Sequence, residues 1–399
     1  MPIISRSGHE VNVANLVFSQ EIGNQHSMEV IAARTAQTAP VLLDMPEPAS
    51  PAAGQVLCET LQLGVCGTDR EILETGTPHV PAGEDFLALG HECLGRVLEV
   101  GAEVEGFEPG DLVVPVVRRN LETPEVQGDS RLQQRIARPD LMPWGTYTER
   151  GIVEEHGFSQ PRWLDRPEFL FPVPPEIADV AVLTEPFTVT EKGINEAELI
   201  QSARFGLPAW QQHPPRVLVT GMGPIGFAGV LGCVARNWPV TMYGRDAEDT
   251  FRVGLAQELG AEYVSQEEMQ WDSLDLEKEG FDLVLECTGS DHVMMNAGRT
   301  LRSCGIMVWL GSSRLPEASP HNVGAWMRDG LLSNHICIGS VNAASRDFSR
   351  ALDYLVQLNR EKGSSLSRMI TERLEPAESL WHYQHREPQG IKTVLMYAS

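Results

Sequence analysis

Three groups of residues in this chain could do chemistry. Cys66 stands among glycines in Gly64-Val65-Cys66-Gly67-Thr68-Asp69, and Gly90-His91-Glu92-Cys93 follows downstream. A thiolate and an imidazole suit zinc, and Glu92 adds an adjacent carboxylate. The flanking glycines let a metal come close to the backbone. A catalytic zinc takes three or four N, S or O ligands and leaves room for water or substrate.

The second group is Gly221-Met222-Gly223-Pro224-Ile225-Gly226, spaced G-x-G-x-x-G between the apolar stretch Val217-Leu218-Val219-Thr220 and a helical run. The first glycine allows a tight turn, the second lets a pyrophosphate reach the backbone, and the third lets helix and strand pack closely. The third group closes the next strand. An acid there would bind the ribose 2′-hydroxyl of NAD. Here Gly244 removes that acid, and Arg245 can pair with a 2′-phosphate. This favours NADP, with NAD a second possibility because Asp246 follows at once.

The elements that must position these groups change character along the chain. Residues 28–115 read as short strands and turns, an antiparallel, barrel-like pattern. Residues 118–145 are polar and read as a long loop. From about 196, strands alternate with helices, the mark of a parallel, doubly wound sheet. The stretch 345–399 reads as one amphipathic helix and an end strand. The first 27 residues have no periodicity and read as an extension, with the domain start at Met28.

The string Gly90, His91, Glu92, Gly95, Gly101, Val104 resembles the signature of the zinc-dependent medium-chain dehydrogenases. Their archaeal glucose dehydrogenase branch is the most similar. Its motifs look like Cys66-Gly67-Thr68-Asp69-Arg70-Glu71-Ile72, Val116-Val117-Arg118-Arg119 and Tyr147-Thr148-Glu149-Arg150-Gly151-Ile152. Two more look like the stretch from Leu183 to Lys192 and Gly339-Ser340-Val341-Asn342, in the same order.

The resemblance implies an α/β chain with two parts. A GroES-like, partly open β-barrel catalytic domain would span 28–198 and 343–399, and a Rossmann domain 199–342. It implies zinc ligands Cys66, His91 and Glu185, with Glu92 a ligand that exchanges with water or substrate. Thr68 would contact the reacting hydroxyl, and Glu149, Glu185 and Asn342 the sugar. Gly221 to Gly226, Gly244, Arg245, Leu310, Gly311, Ser312, Ser340, Val341, Asn342 and Lys392 would line the NADP site. The implied reaction oxidises an aldose, D-glucose first, at C1 to the lactone. Zinc would lower the hydroxyl pKa, the proton would leave through Thr68, and hydride would pass to nicotinamide. The family also implies a homodimer or homotetramer.

Relatives carry a structural zinc on four cysteines in the loop after the Arg-Arg pair. Here residues 120–145 hold no cysteine, so one catalytic zinc and no structural zinc is expected. Glu191 and Lys192 read as a solvated helix pair, and Cys93, Cys233, Cys287, Cys304 and Cys337 as core. Two rivals remain: a zinc polyol or threonine dehydrogenase, and a nucleotide-binding protein without catalysis.

Composition narrows the partners. Fifty-five acids against 31 bases give a net charge of −24. Only four bases are lysines: Lys192, Lys278, Lys362 and Lys392. Nucleic acid and anionic membrane surfaces need clustered cations, so neither is expected. Seven scattered cysteines without a C-x-x-C pair fit a reducing cytoplasm.

Overall fold

The structure, a computed structural model, describes residues 27–269, 271, 275–311 and 322–397. The expected extension, apart from Ser27, and Ser312 lie outside the described residues.

The strand Val56–Gly64 alternates buried and half-buried side chains until its last turns inward completely. It is the centre of a mixed sheet. Glu92–Val100 flanks it on one side and Lys392–Met396 on the other, both antiparallel. Gly64 sits opposite both Glu92 and Val394. The register thus delivers Cys66, His91, Glu92 and Lys392 to one end of the sheet. A Cβ on Gly64 would lie 2.2 Å from a Glu92 carboxylate oxygen, so the glycine leaves that carboxylate its place. Behind the sheet, Leu63, Phe158, Trp163 and Tyr383 fill an apolar core. Full burial of each such side chain contributes roughly 1.5–3 kcal/mol.

The second sheet has six parallel strands among the described residues. Their order is Glu262–Ser265, Val240–Gly244, Val217–Thr220, Phe281–Glu286, Leu301–Trp309, Ile336–Gly339. Val217–Thr220 is buried along its whole length, as expected for a strand covered on both faces. From it the chain winds first to one side and then to the other, which opens a crevice at its carboxyl end. Gly221 turns there with φ 94°. A Cβ on Gly226 would stand 1.9 Å from the Gly221 carbonyl oxygen, so helix and turn pack this closely only over a glycine.

The helix Thr184–Phe205 joins the two sheets, and residue 198, where the division of the chain was expected, lies within it. Glu191 and Lys192 correct an expectation. They are 0% and 2% exposed, not solvated. Glu191 accepts from Arg236 at 2.8 Å. Lys192 Nζ donates to the Val341 carbonyl at 2.7 Å and pairs with Asp140 at 3.0 Å. The first half of this helix is buried, packed chiefly against the helices Pro224–Ala235 and Ser345–Ser367, and that placement is not written in its local periodicity.

Residues 118–145 are more ordered than a loop. Arg118–Asn120 pairs with Tyr147–Arg150, and Thr123 caps the short helix Pro124–Gly128. The strand Ile370–Leu374, not anticipated, pairs parallel with Lys392–Met396. Of the cysteines expected in the core, Cys93 and Cys233 are buried, whereas Cys287, Cys304 and Cys337 are half-buried. No helix among the described residues is long and apolar enough to cross a membrane.

Candidate active site

The donor atoms of Cys66, His91 and Glu92 lie within 4.8 Å of one another. Asp69 ties their two loops together. Its carboxylate accepts from the Cys66 amide at 2.8 Å and from the Gly90 amide at 3.3 Å. It also stands 3.5 Å from His91 Nδ1. Burial disfavours the imidazolium, but Asp69 and Cys66 outweigh it and raise the His91 pKa well above 6.5. His91 Nδ1 is nonetheless buried without a hydrogen-bond partner. A thiolate, an imidazole and a carboxylate so arranged fit a zinc ion, with Asp69 as the carboxylate behind the histidine.

Glu185 is not part of that cluster but lines the same cavity, of about 1130 Å³. Burial, reinforced by Glu92, pushes its carboxyl up to about 7. Thr68 Oγ1 lies 3.8 Å from Cys66 Sγ, accepting from it. Lys392 lines the same cavity. Its strand begins beside Glu92, so its ammonium is buried there, 2.7 Å from Glu92 Oε1 and in contact with Oε2.

Glu149 and Asn342 meet on the cavity wall. Glu149 Oε1 accepts from Arg118 Nε at 2.8 Å and from Asn342 Nδ2 at 2.7 Å. Asn342 adopts φ 60°, a left-handed conformation that asparagine tolerates. Arg118, whose role the sequence did not suggest, is 6% exposed and also donates to the Asp140 carbonyl.

Pro224, Ile225, Leu310, Gly311, Ser340, Val341 and Asn342 line this cavity as well. Gly221, Met222, Gly223, Gly244 and Arg245 line an adjoining cavity of about 700 Å³. Arg386 borders both. Its guanidinium lies 3.5 Å from where a Gly223 Cβ would be, over the glycine expected to admit a pyrophosphate. Burial and the neighbouring arginines lower its pKa to about 10. The basic residues of the smaller cavity are thus Arg245, Arg252 and Arg386, without Lys392. Sequence spacing offered no signal for Arg252 or Arg386.

Residues 52–161 match the alcohol dehydrogenase GroES-like domain, and residues 178–397 match the glucose dehydrogenase C-terminus. The second match alone covers more than half of the chain. This chain belongs to the glucose dehydrogenase family. A glucose 1-dehydrogenase from Caldivirga maquilingensis is 37% identical over 357 residues, covering 89% of this chain and 94% of that protein. One from Thermoproteus tenax is 36% identical with the same coverage. The Haloferax mediterranei glucose dehydrogenase, solved in complex with NADP, Zn and gluconolactone, superposes with a TM-score of 0.79 at 27% identity. That match covers 93% of this chain and all of the other. The glucose dehydrogenase architecture expected from the sequence, a GroES-like domain joined to a parallel nucleotide-binding sheet, is the one observed.

Proposed function

We propose that this chain is a zinc-dependent aldose 1-dehydrogenase that oxidises D-glucose at C1 to the lactone and transfers hydride to NADP. One observation carries the reading. The Cys66–His91–Glu92 cluster, the Glu149–Asn342 pair and the rim of the glycine turn share one cavity. Relatives named glucose 1-dehydrogenase support the substrate, and the Haloferax complex supports both cofactors. Zinc bound at the cluster supplies a Lewis acid that lowers the pKa of the C1 hydroxyl.

The protein's own residues do the rest. Cys66, His91 and Glu185 would hold the metal, with Glu92 a further ligand that would give way to water or substrate. Glu92 is suited to exchange, because Lys392 offers its carboxylate another partner. Thr68 relays the hydroxyl proton: Oγ1 accepts it while its own hydroxyl proton passes on to the cofactor ribose or to solvent. Glu149 spends Oε1 on Arg118 and Asn342, which leaves Oε2 to accept from a sugar hydroxyl. A buried carboxylate left unpaired rejects a substrate lacking that hydroxyl. The backbone of Gly221 to Gly226 takes the pyrophosphate at a helix start.

Initial rates with glucose, galactose, xylose, sorbitol and threonine, each with NADP and NAD, test the reading. Glucose with NADP should be fastest. A preference for sorbitol or threonine replaces it with the polyol or threonine reading, and no rate with any pair replaces it with a non-catalytic one. Arg245→Glu is expected to raise the KM for NADP by about tenfold or more and that for NAD far less, since one charge pair is worth about 1.4 kcal/mol or more at short range. Equal changes in both overturn the assignment of Arg245.

We further infer a homodimer or homotetramer in a reducing cytoplasm. Met327 and Leu331, 64% and 76% exposed, share the helix that leads into Ile336–Gly339, an edge strand among the described residues. Exposed apolar side chains and an edge strand each favour self-association. A monomer by sedimentation at micromolar concentration would falsify this.

A further inference from the structure

We propose that Arg252 is a positioning residue for cofactor choice: it holds the Asp246 carboxylate in an ion pair and so makes the ribose end of the site acceptable to a 2′-phosphate. The proposal rests on the NADP reading above and adds the device that permits it.

Asp246 follows Arg245 where the second parallel strand ends, at the edge of the smaller cavity. A free carboxylate there would bind ribose hydroxyls and repel a phosphate. It is not free. Arg252 Nε lies 2.7 Å from Oδ2 and Nη2 2.6 Å from Oδ1, a two-point grip. The two side chains are only 13% and 10% exposed, which makes such a pair stronger than a surface one. Tyr263 Oη donates to the Asp246 carbonyl at 2.6 Å and fixes the turn. Gln389, arriving from the other part of the fold, approaches Oδ2 at 3.5 Å.

Two further observations give Arg252 this task. It occupies the second position of the helix Phe251–Leu259, where the helix dipole disfavours a cation. The helix gains nothing from an arginine there, but the Asp246 carboxylate does. At Gly244, the other position from which an acid could reach the ribose, a side chain would have to displace Met222, because a Cβ would lie 2.5 Å from its Sδ. The charge presented to the nucleotide is therefore set at Asp246. Arg245 makes no hydrogen bond or ion pair with the described residues, so its charge remains available to the phosphate once Asp246 is neutralised.

The test is steady-state kinetics of the zinc-loaded enzyme on glucose with NADP and with NAD, for the unmodified protein, Arg252→Gln, Asp246→Asn and the double variant. Freeing the carboxylate in Arg252→Gln should raise the NADP KM by about tenfold and the NAD KM by less than about twofold, as a charge repulsion of short range implies. Asp246→Asn should leave the NADP KM near that of the unmodified protein, and the double variant should recover it. A rise in both KM values together, or no recovery in the double variant, makes Arg252 merely structural and overturns the proposal. If Arg252→Gln does not fold, Arg252→Lys keeps the charge without the two-point grip, and its NADP KM should rise alone. Equal displacement of both cofactors in that variant also overturns it. Preference of the unmodified enzyme for NAD would instead sink the NADP reading itself, before any variant is made.

Discussion

Replacing Cys66 with alanine should strip the zinc from the protein and lower kcat/KM for glucose by more than about 100-fold, the upper end of what losing an outer-shell partner of a metal ligand costs. Cys66 supplies the sulfur of a cluster whose donor atoms lie within 4.8 Å. Without it, His91 and Glu92 remain, but Lys392 already competes for Glu92. Metal analysis and initial rates check the result. Full zinc and full activity in Cys66→Ala would mean the metal is held elsewhere. Analysis of the unmodified chain should give about one zinc per subunit, and a value near two would mean that a second site is built elsewhere in the chain.

The second large effect is expected on stability. Asp140 is 3% exposed and takes three cationic contacts. Arg138 grips it at 2.9 and 2.7 Å, and Lys192, itself buried, pairs with it at 3.0 Å. Asp140→Ala would leave the Lys192 ammonium buried and uncompensated, a change that costs about 3–5 kcal/mol. Burial opposes ionisation of Asp140, but the Arg138 and Lys192 charges win and keep its pKa below 3.8. The pair thus contributes its stability above the ordinary carboxylate range and loses it as pH falls through the lowered value. Urea unfolding of the zinc-loaded protein at neutral pH measures the loss, and a change below about 1 kcal/mol would rule out a structural hub. A kinetic effect should accompany it. Lys192 also holds the Val341 carbonyl, next to Asn342, so the glucose KM should rise in the same variant.

The sequence was informative wherever chemistry depends on local spacing. The glycine turn, the Gly-His-Glu string and the alternation of Val56–Gly64 are each readable within about ten residues, because backbone geometry and side-chain period act over that range. The charge network was not readable. Lys392 and Glu92 are 300 positions apart, and Asn342 and Glu149 are 193 apart. Glu191 and Lys192 looked like a solvated pair because their partners Arg236, Asp140 and Val341 lie on other elements. For the same reason the contact of Lys392 with Glu92, set by the sheet register, was not anticipated. Whether a buried charge has a partner is decided by the fold, and no pattern within one element encodes it.

The pairing of Val56–Gly64 with Lys392–Met396 also constrains how the protein is made. Val394 pairs with Gly64, a strand neighbour synthesised 330 residues later. At a ribosomal rate of about 5–20 residues per second, that side of the central strand stays open for at least about 15 seconds. Until then its free N–H and C=O groups are a template for other chains, and the cavity lacks the wall that carries Lys392. Loading of the metal into its finished pocket is therefore a late event in the life of the nascent chain, and long-range closure of this kind is slow to fold. A chaperone that shields the open edge during synthesis would protect the future active site as much as the sheet.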